Sequence, residues 1–214
     1  MTTPKTGRKP ALKKPKAAPY HHGDLRAALL EASEKVLEEN GIEGFSLRAV
    51  AKRAGVSHAA PAHHFKDAAG LLTALAAVGY RKFLKTQDAH RAKTDQSPFA
   101  LLVASGTGYV EFARTHPALF RLMFSSKRTD YEDAELAALS EKAFNNLLQA
   151  VAQFRGVDPL EDPSAMIDAM AAWSIVHGLA DLMNAGRPGP IIDMPKRKQE
   201  EVIKAIIMRL YGDA

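Results

Sequence analysis

Cysteine is absent from the 214 residues. That excludes a disulfide framework, a thiolate metal site and a cysteine nucleophile. Long apolar runs are missing too. The least polar stretch, Ala169 to Ala180, is closed by Asp168 and Asp181. A membrane span needs about 20 apolar residues, so this stretch reads as a buried core helix. The basic N-terminus is not followed by an apolar h-region, so no secretory signal is expected, and a reduced cytoplasm is the expected compartment. No segment alternates polar and apolar residues with period two, so strands are not expected. There is no Gly-rich phosphate loop, no Gly-x-Ser-x-Gly elbow and no His-Glu-x-x-His. The acids Asp158, Glu161, Asp162 and Asp168 gather near a helix start, where acids belong. Neither an enzyme nor a cofactor is expected.

What is present suits a helical protein with a sizeable core. Hydrophobic residues make up 46%. Charge is uneven. Residues 1–16 hold Lys5, Arg8, Lys9, Lys13, Lys14 and Lys16 and no acid. Removing these six from 29 basic residues leaves 23 against 24 acids, so the net +5 belongs to the tail. With Pro4, Pro10, Pro15 and Pro19 interspersed, residues 1–19 read as a disordered basic tail. It is either a solubilising arm or an arm lying on phosphates or in a minor groove. Helical signals fill the rest. Asp24 starts a helix that ends at Asn40-Gly41. Asp67 caps a long one carrying Leu71, Leu72, Leu75, Val78 and Phe83. Others start at Ser97-Pro98, after His116-Pro117, near Glu132, at Asp162-Pro163 and at Lys196, the last running to Leu210. Gly186 to Pro195 reads as a loop. The pattern predicts an all-α fold of about nine helices.

The densest information lies in Phe45-Ser46-Leu47-Arg48-Ala49-Val50-Ala51-Lys52-Arg53-Ala54-Gly55-Val56-Ser57-His58. Ser46 can cap a helix whose apolar stripe is Leu47, Val50, Ala51 and Ala54. Gly55 suits a left-handed exit, Val56 plugs the corner, and Ser57 can cap a second helix. Small Ala51 and Gly55 let the two helices cross closely, as in a helix-turn-helix. The second helix of that motif enters the major groove of duplex DNA. Here the segment from Val56 to Phe65 holds no Lys or Arg, so its polar atoms come from Ser57, His58, His63 and His64. Imidazoles can contact bases or phosphates and gain charge near pH 6–7. A metal site is the other reading, but neighbours on a helix diverge by about 100°, so His63 and His64 do not face one ion easily. For His64, packing against the first helix is favoured over contact.

From Tyr20 to Leu72 the chain resembles TetR-type transcriptional regulators. The resemblance rests on Asn40-Gly41, on Phe45-Ser46-Leu47-Arg48 followed by Val50-Ala51, Ala54-Gly55-Val56-Ser57, then His64-Phe65 and Leu71-Leu72. Trp173, His177 and Gly178, with His116 to Phe124, are similar to a branch whose C-terminal domain carries a Trp, His, Gly signature. The resemblance implies a DNA-binding domain at 20–66 and an effector-binding and dimerisation domain at 67–214. It implies a homodimer on a palindromic operator, often released by a small effector. Many members carry a phosphate-contacting tyrosine where Ala62 stands and a lysine where Ala68 stands. The DNA-contact set implied is Ser46, Arg48, Ser57, His58, Ala59, Ala62, His63 and Lys66, joined by Lys13, Lys14 and Lys16 of the tail.

The C-terminal half offers large apolar groups at helical spacing. Phe112, Met123, Phe144, Leu147, Met170, Trp173 and His177 are the candidate ligand-binding residues, among Phe120, Phe124, Phe154, Met166 and Met183. Each alone is more readily ordinary core, and His177 is more often a satisfied core histidine than a ligand contact. Methionines and aromatics adapt to irregular apolar ligands. Val202, Ile203, Ile206, Ile207 and Leu210 form a stripe broad enough to meet both the core and a partner subunit, giving a candidate dimer interface. The expected function is a homodimeric, operator-specific regulator, a repressor released by a largely apolar ligand. The alternative is a constitutive or architectural DNA-binding protein without an effector. No metal and no membrane partner are expected.

Overall fold

The computed structural model describes residues 25–209. They form ten helices: α1 (Leu25–Asn40), α2 (Leu47–Ala54), α3 (Ala60–Phe65), α4 (Ala68–Arg91), α5 (Pro98–Thr115), α6 (Pro117–Ser125), α7 (Ala134–Arg155), α8 (Pro163–Asn184), α9 (Gly189–Ile192) and α10 (Lys196–Arg209). Among the described residues there is no strand, and the fold is all-α. The helix beyond the expected nine is α9, inside the segment read as a loop. The Pro188 carbonyl accepts from the N–H groups of Ile191 and Ile192 at 3.1 and 3.2 Å, which closes a single turn. Asp24 and Leu210 lie outside the described residues.

Boundaries follow local chemistry. Ser46, Asp67, Ser97, Asp133 and Asp162 each accept a backbone N–H at the starts of α2, α4, α5, α7 and α8. They satisfy donors that a first turn leaves orphaned. Ser57 does not cap α3 as expected. Its carbonyl accepts from Ala60 N–H at 3.1 Å, and α3 begins with no side-chain cap. Pro61 sets that start, because its missing N–H is harmless only in a first turn.

The antiparallel-connected pair α4 and α5 forms the axis, flanked by α7 and α8, with α10 across α5 and α6 against α4. α1 to α3 gather around the N-terminal end of α4. One apolar core runs without a break from Leu29, Val36 and Phe65 through Leu71 and Leu75 to Phe112, Phe120 and Ile203. A smaller cluster joins Leu102, Leu148, Val151, Ala165 and Ala169. α4 is therefore common to both ends of the molecule. Polar ties reinforce the junction. Lys82 pairs with Glu34 at 2.5 Å. Arg81 and Arg26 converge on Glu135. The α6–α7 loop sends Arg128 to the Ile42 carbonyl and Asp130 N–H to Thr73 Oγ1 at 2.9 Å.

Candidate DNA-binding face and internal cavity

α2 and α3 are joined by a five-residue turn, Gly55 to Ala59, that opens as a Schellman motif. Gly55, at φ 69°, donates to the Lys52 carbonyl, and Val56 N–H donates to Ala51 at 3.0 Å. The left-handed geometry is open to glycine without strain. Val56 then packs on the core. Pro61 and Phe65 form the buried side of α3, while Ala59, Ala62, His63 and Lys66, three and four residues apart, are exposed. Ser46, Arg48, Ser57 and His58 are exposed beside them. From Gly44 to Lys66 the chain carries Arg48, Lys52, Arg53 and Lys66 and no acid, and of these Arg53 is paired with Glu39. Lys13, Lys14 and Lys16 lie outside the described residues. His64 is a correction: it is exposed rather than packed on α1. Phe65 fills that position, with the Arg26 guanidinium 5.3 Å from its ring centre.

The exit from α3 is strained. Lys66 has φ 68° and ψ −63°, and Asp67 N–H donates to the Phe65 carbonyl at 2.8 Å. This is a γ-turn of the rarer hand, which is costly for any residue with a Cβ. Asp67 Oδ1 then accepts from Gly70 N–H at 2.8 Å and starts α4. A Cβ at Gly70 would drive into the Phe65 carbonyl oxygen. Gly70 thus lets α4 come close against the end of α3. Sequence reasoning missed it, although a glycine in the first turn of a helix is a signal worth reading.

Between α4, α5, α7 and α8 lies a cavity of about 350 Å³, at the small end of the roughly 300–1,000 Å³ usual for ligand pockets. Tyr80, Phe83, Gln87 and Arg91 line it from one face of α4, and Ser105, Gly106 and Tyr109 from α5. Phe144, Leu147 and Trp173, three of the expected ligand residues, are on the wall. The others are not. Phe112 is wholly buried behind the wall, its ring edge-on to Phe83 at 5.5 Å. Met123 is likewise buried, its sulfur close under Gly79. Met170 packs on the smaller apolar cluster. His177 stands one layer back. Its Nδ1 is 2.7 Å from Tyr109 Oη, which also accepts from Trp173 Nε1 at 3.3 Å. The indole donates, so the Tyr109 hydroxyl links Trp173 and His177, and His177 Nε2 lies 3.6 Å from Asp181. Burial holds the Tyr109 phenol protonated well above its ordinary range. His177 is a satisfied core histidine. Tyr109 and Arg91 escaped the sequence reading; the spacing Tyr80, Phe83, Gln87, Arg91 was the available signal.

On the outside, α8 presents Ile167, Ser174, Gly178 and Leu182 on one exposed face, with Ile167 67% and Leu182 50% accessible. Among the described residues, nothing beyond its own helical turn lies within 4 Å of a Cβ placed on Gly178. On α10, Ile203 and Ile207 are buried in the protomer's own core, whereas Val202 and Ile206 are half-buried at its edge. Among the described residues no three His, Asp or Glu side chains converge as a metal site. No helix there is long and apolar enough to cross a membrane.

Comparison with known proteins agrees with this arrangement. Residues 29–75 match the family described as "Bacterial regulatory proteins, tetR family". Residues 102–208 match "Tetracyclin repressor-like, C-terminal domain". A protein of unknown function from Rhodococcus sp. RHA1 is 31% identical, with a TM-score of 0.74 over 91% of this chain and 97% of its own. The chain belongs to the TetR family. A transcriptional regulator from the same Rhodococcus is 25% identical, with a TM-score of 0.62 over 87% of this chain and 95% of its own. The HTH-type transcriptional regulator BetI of Stenotrophomonas maltophilia is 26% identical over 158 residues, 72% of this chain and 78% of BetI. TetR-family proteins are DNA-binding transcriptional regulators rather than enzymes.

Proposed function

We propose that this TetR-family regulator is a homodimeric, cytoplasmic repressor, released from a palindromic operator by a small, largely apolar ligand. Residues 20–66 would serve as the DNA-reading domain and 67–214 as the effector and dimerisation domain. The observation that carries the reading is the double role of α4. Its Tyr80, Phe83 and Arg91 line the cavity, and its first turn supports α3 through Gly70 and Asp67. A ligand wedged between α4 and α7 tilts α4 and changes the separation of two recognition helices. Tyr80 also neighbours Tyr131, in the loop whose Arg128 holds the Ile42 carbonyl between α1 and α2. That is a second mechanical link from cavity to recognition unit. Coupling of about 1–3 kcal/mol weakens DNA binding roughly 5–150-fold.

DNA contact is assigned to Ser46, Arg48, Ser57, His58, Ala59, Ala62, His63 and Lys66, with the tail lysines on phosphates. Dimerisation is assigned to the exposed face of α8 around Gly178 and Leu182, together with Val202 and Ile206 of α10. In helix pairs a glycine permits close approach, and Gly178 has no such use within its own chain. Membership of the Trp-His-Gly branch is proposed on the sequence resemblance of Trp173, His177 and Gly178 alone. Selecting bound fragments from random duplex DNA tests the whole reading. The expected result is one palindrome with half-sites about 34 Å apart. Sequence-independent binding that falls steeply with salt would instead mark an architectural protein.

A further inference from the structure

We infer that the cavity takes an apolar monocarboxylate, with its carboxylate held by Arg91; the inference rests on the ligand-sensing reading above. Among the described residues, Arg91 is the only charged one on the wall, and no acid lines the cavity. Arg91 is half-buried at the end of α4 and has no ion-pair partner among the described residues. On the facing helix α5, Glu111 is held by His90 at 2.6 Å. Most other polar wall groups are already engaged. Gln87 Nε2 donates to the Ser105 carbonyl at 3.2 Å, Ser105 Oγ to Leu101 at 2.9 Å, and Ser140 Oγ to Ala137 at 2.9 Å. Trp173 and His177 occupy the Tyr109 hydroxyl. An uncompensated cation beside apolar surface favours an anion that can desolvate with it, and a guanidinium fits a carboxylate through two parallel hydrogen bonds. An amine of the same shape meets like charge, and a neutral alcohol forgoes the ion pair.

The position of Arg91 also orders the ligand. From Arg91 back to Tyr80 is eleven residues of α4, about 16 Å at 1.5 Å per residue. With the head at Arg91, the apolar tail runs towards Tyr80 and Phe124, the wall residues nearest the recognition unit. A short acid occupies the Arg91 end alone. A longer one reaches Tyr80 and wedges α4 nearer to the first turn that supports α3, so chain length sets the extent of release.

The test uses the full chain and the fluorescence of Trp173, its only tryptophan. Decanoate, decanol and decylamine are titrated below their aggregation limits into wild type, Arg91→Gln and Arg91→Lys. Decanoate is expected to bind wild type roughly tenfold or more tighter than the other two. Arg91→Gln should lose that preference while binding decanol as wild type does, and Arg91→Lys should keep part of it. Hexanoate should bind yet release operator less than decanoate. Equal binding of all three molecules by wild type overturns the head-group assignment alone, as does an unchanged preference in Arg91→Gln. No binding of any of them overturns the ligand-sensing reading with it.

Discussion

The two ends of α4 are built on opposite principles. At its start nothing has room to give: Lys66 is strained, Gly70 is pressed on the Phe65 carbonyl, and Asp67 closes the turn. Further along, the helices part around about 350 Å³ of space walled by large side chains. Close-packed interiors transmit displacement, and voids absorb it. On the proposed reading, the regulator joins a stiff reading end to a compliant sensing end through one helix: stiffness would keep the exposed face of α3 in one orientation, and compliance would allow a guest to choose among positions of α4.

Substitutions that break one end and spare the other sharpen the contrast. The largest effect is expected at Ile203, which is buried in the core. Ile203→Glu should lose about 3–5 kcal/mol, since an unpaired buried charge is left behind. Leu182→Glu, on the exposed face of α8, should leave the fold intact and yield monomers; chemical denaturation and sedimentation distinguish the two. A stable, dimeric Leu182→Glu would move the interface elsewhere. Next is Gly70→Ala. Alanine is the better helix former, yet overpacking against backbone costs about 1–3 kcal/mol. Operator affinity, read by fluorescence anisotropy, should fall tenfold or more by the same scale, with ligand binding unchanged. Gly178→Ala has the same chemistry in open space. It should stabilise a monomeric Leu182→Glu background by up to about 1 kcal/mol and weaken the wild-type dimer.

The smallest effect concerns His116, at the junction of α5 and α6, 3.8 Å from Glu34. Burial, and then the charge of Lys82, lower its pKa in the folded chain, against the opposing pull of Glu34. The unfolded chain therefore takes up the proton first as pH falls. Stability from this site is complete above the ordinary imidazole range and declines as pH drops through it towards the lowered folded value. Thermal unfolding of His116→Gln should show a shallower loss between pH 7 and pH 5 than wild type. Equal slopes would assign the acid sensitivity to other groups.

How much was readable beforehand follows the same division. The recognition unit is local. Ser46, Gly55 and Val56 make their hydrogen bonds and packing within a dozen residues, so spacing alone revealed the motif. Caps at Asp67, Ser97 and Asp162 were legible for the same reason. Pro61 overrode Ser57 because a ring without an N–H restricts where a helix can begin. The cavity is not local. Its walls come from six helices distant in sequence, and helical periodicity marks a residue as inward without saying whether it meets an atom or a void. Phe144, Leu147 and Trp173 met the void; Phe112, Met123 and Met170 met other side chains. The stripe on α10 was divided in a similar way, with Ile203 and Ile207 turned into the core. Arg91 stayed unread because a cation at the end of a helix is ordinarily a favourable partner for the dipole.

Filling the cavity without a ligand decides whether it governs DNA binding. Ala143 lines it from α7, and Ala143→Phe places a ring where a guest would sit. With the packed cavity verified crystallographically and the dimer intact by sedimentation, operator affinity should be roughly 5–150-fold weaker than wild type with no effector added. Wild-type affinity in that filled protein would contradict release by the cavity and leave a constitutive DNA-binding protein.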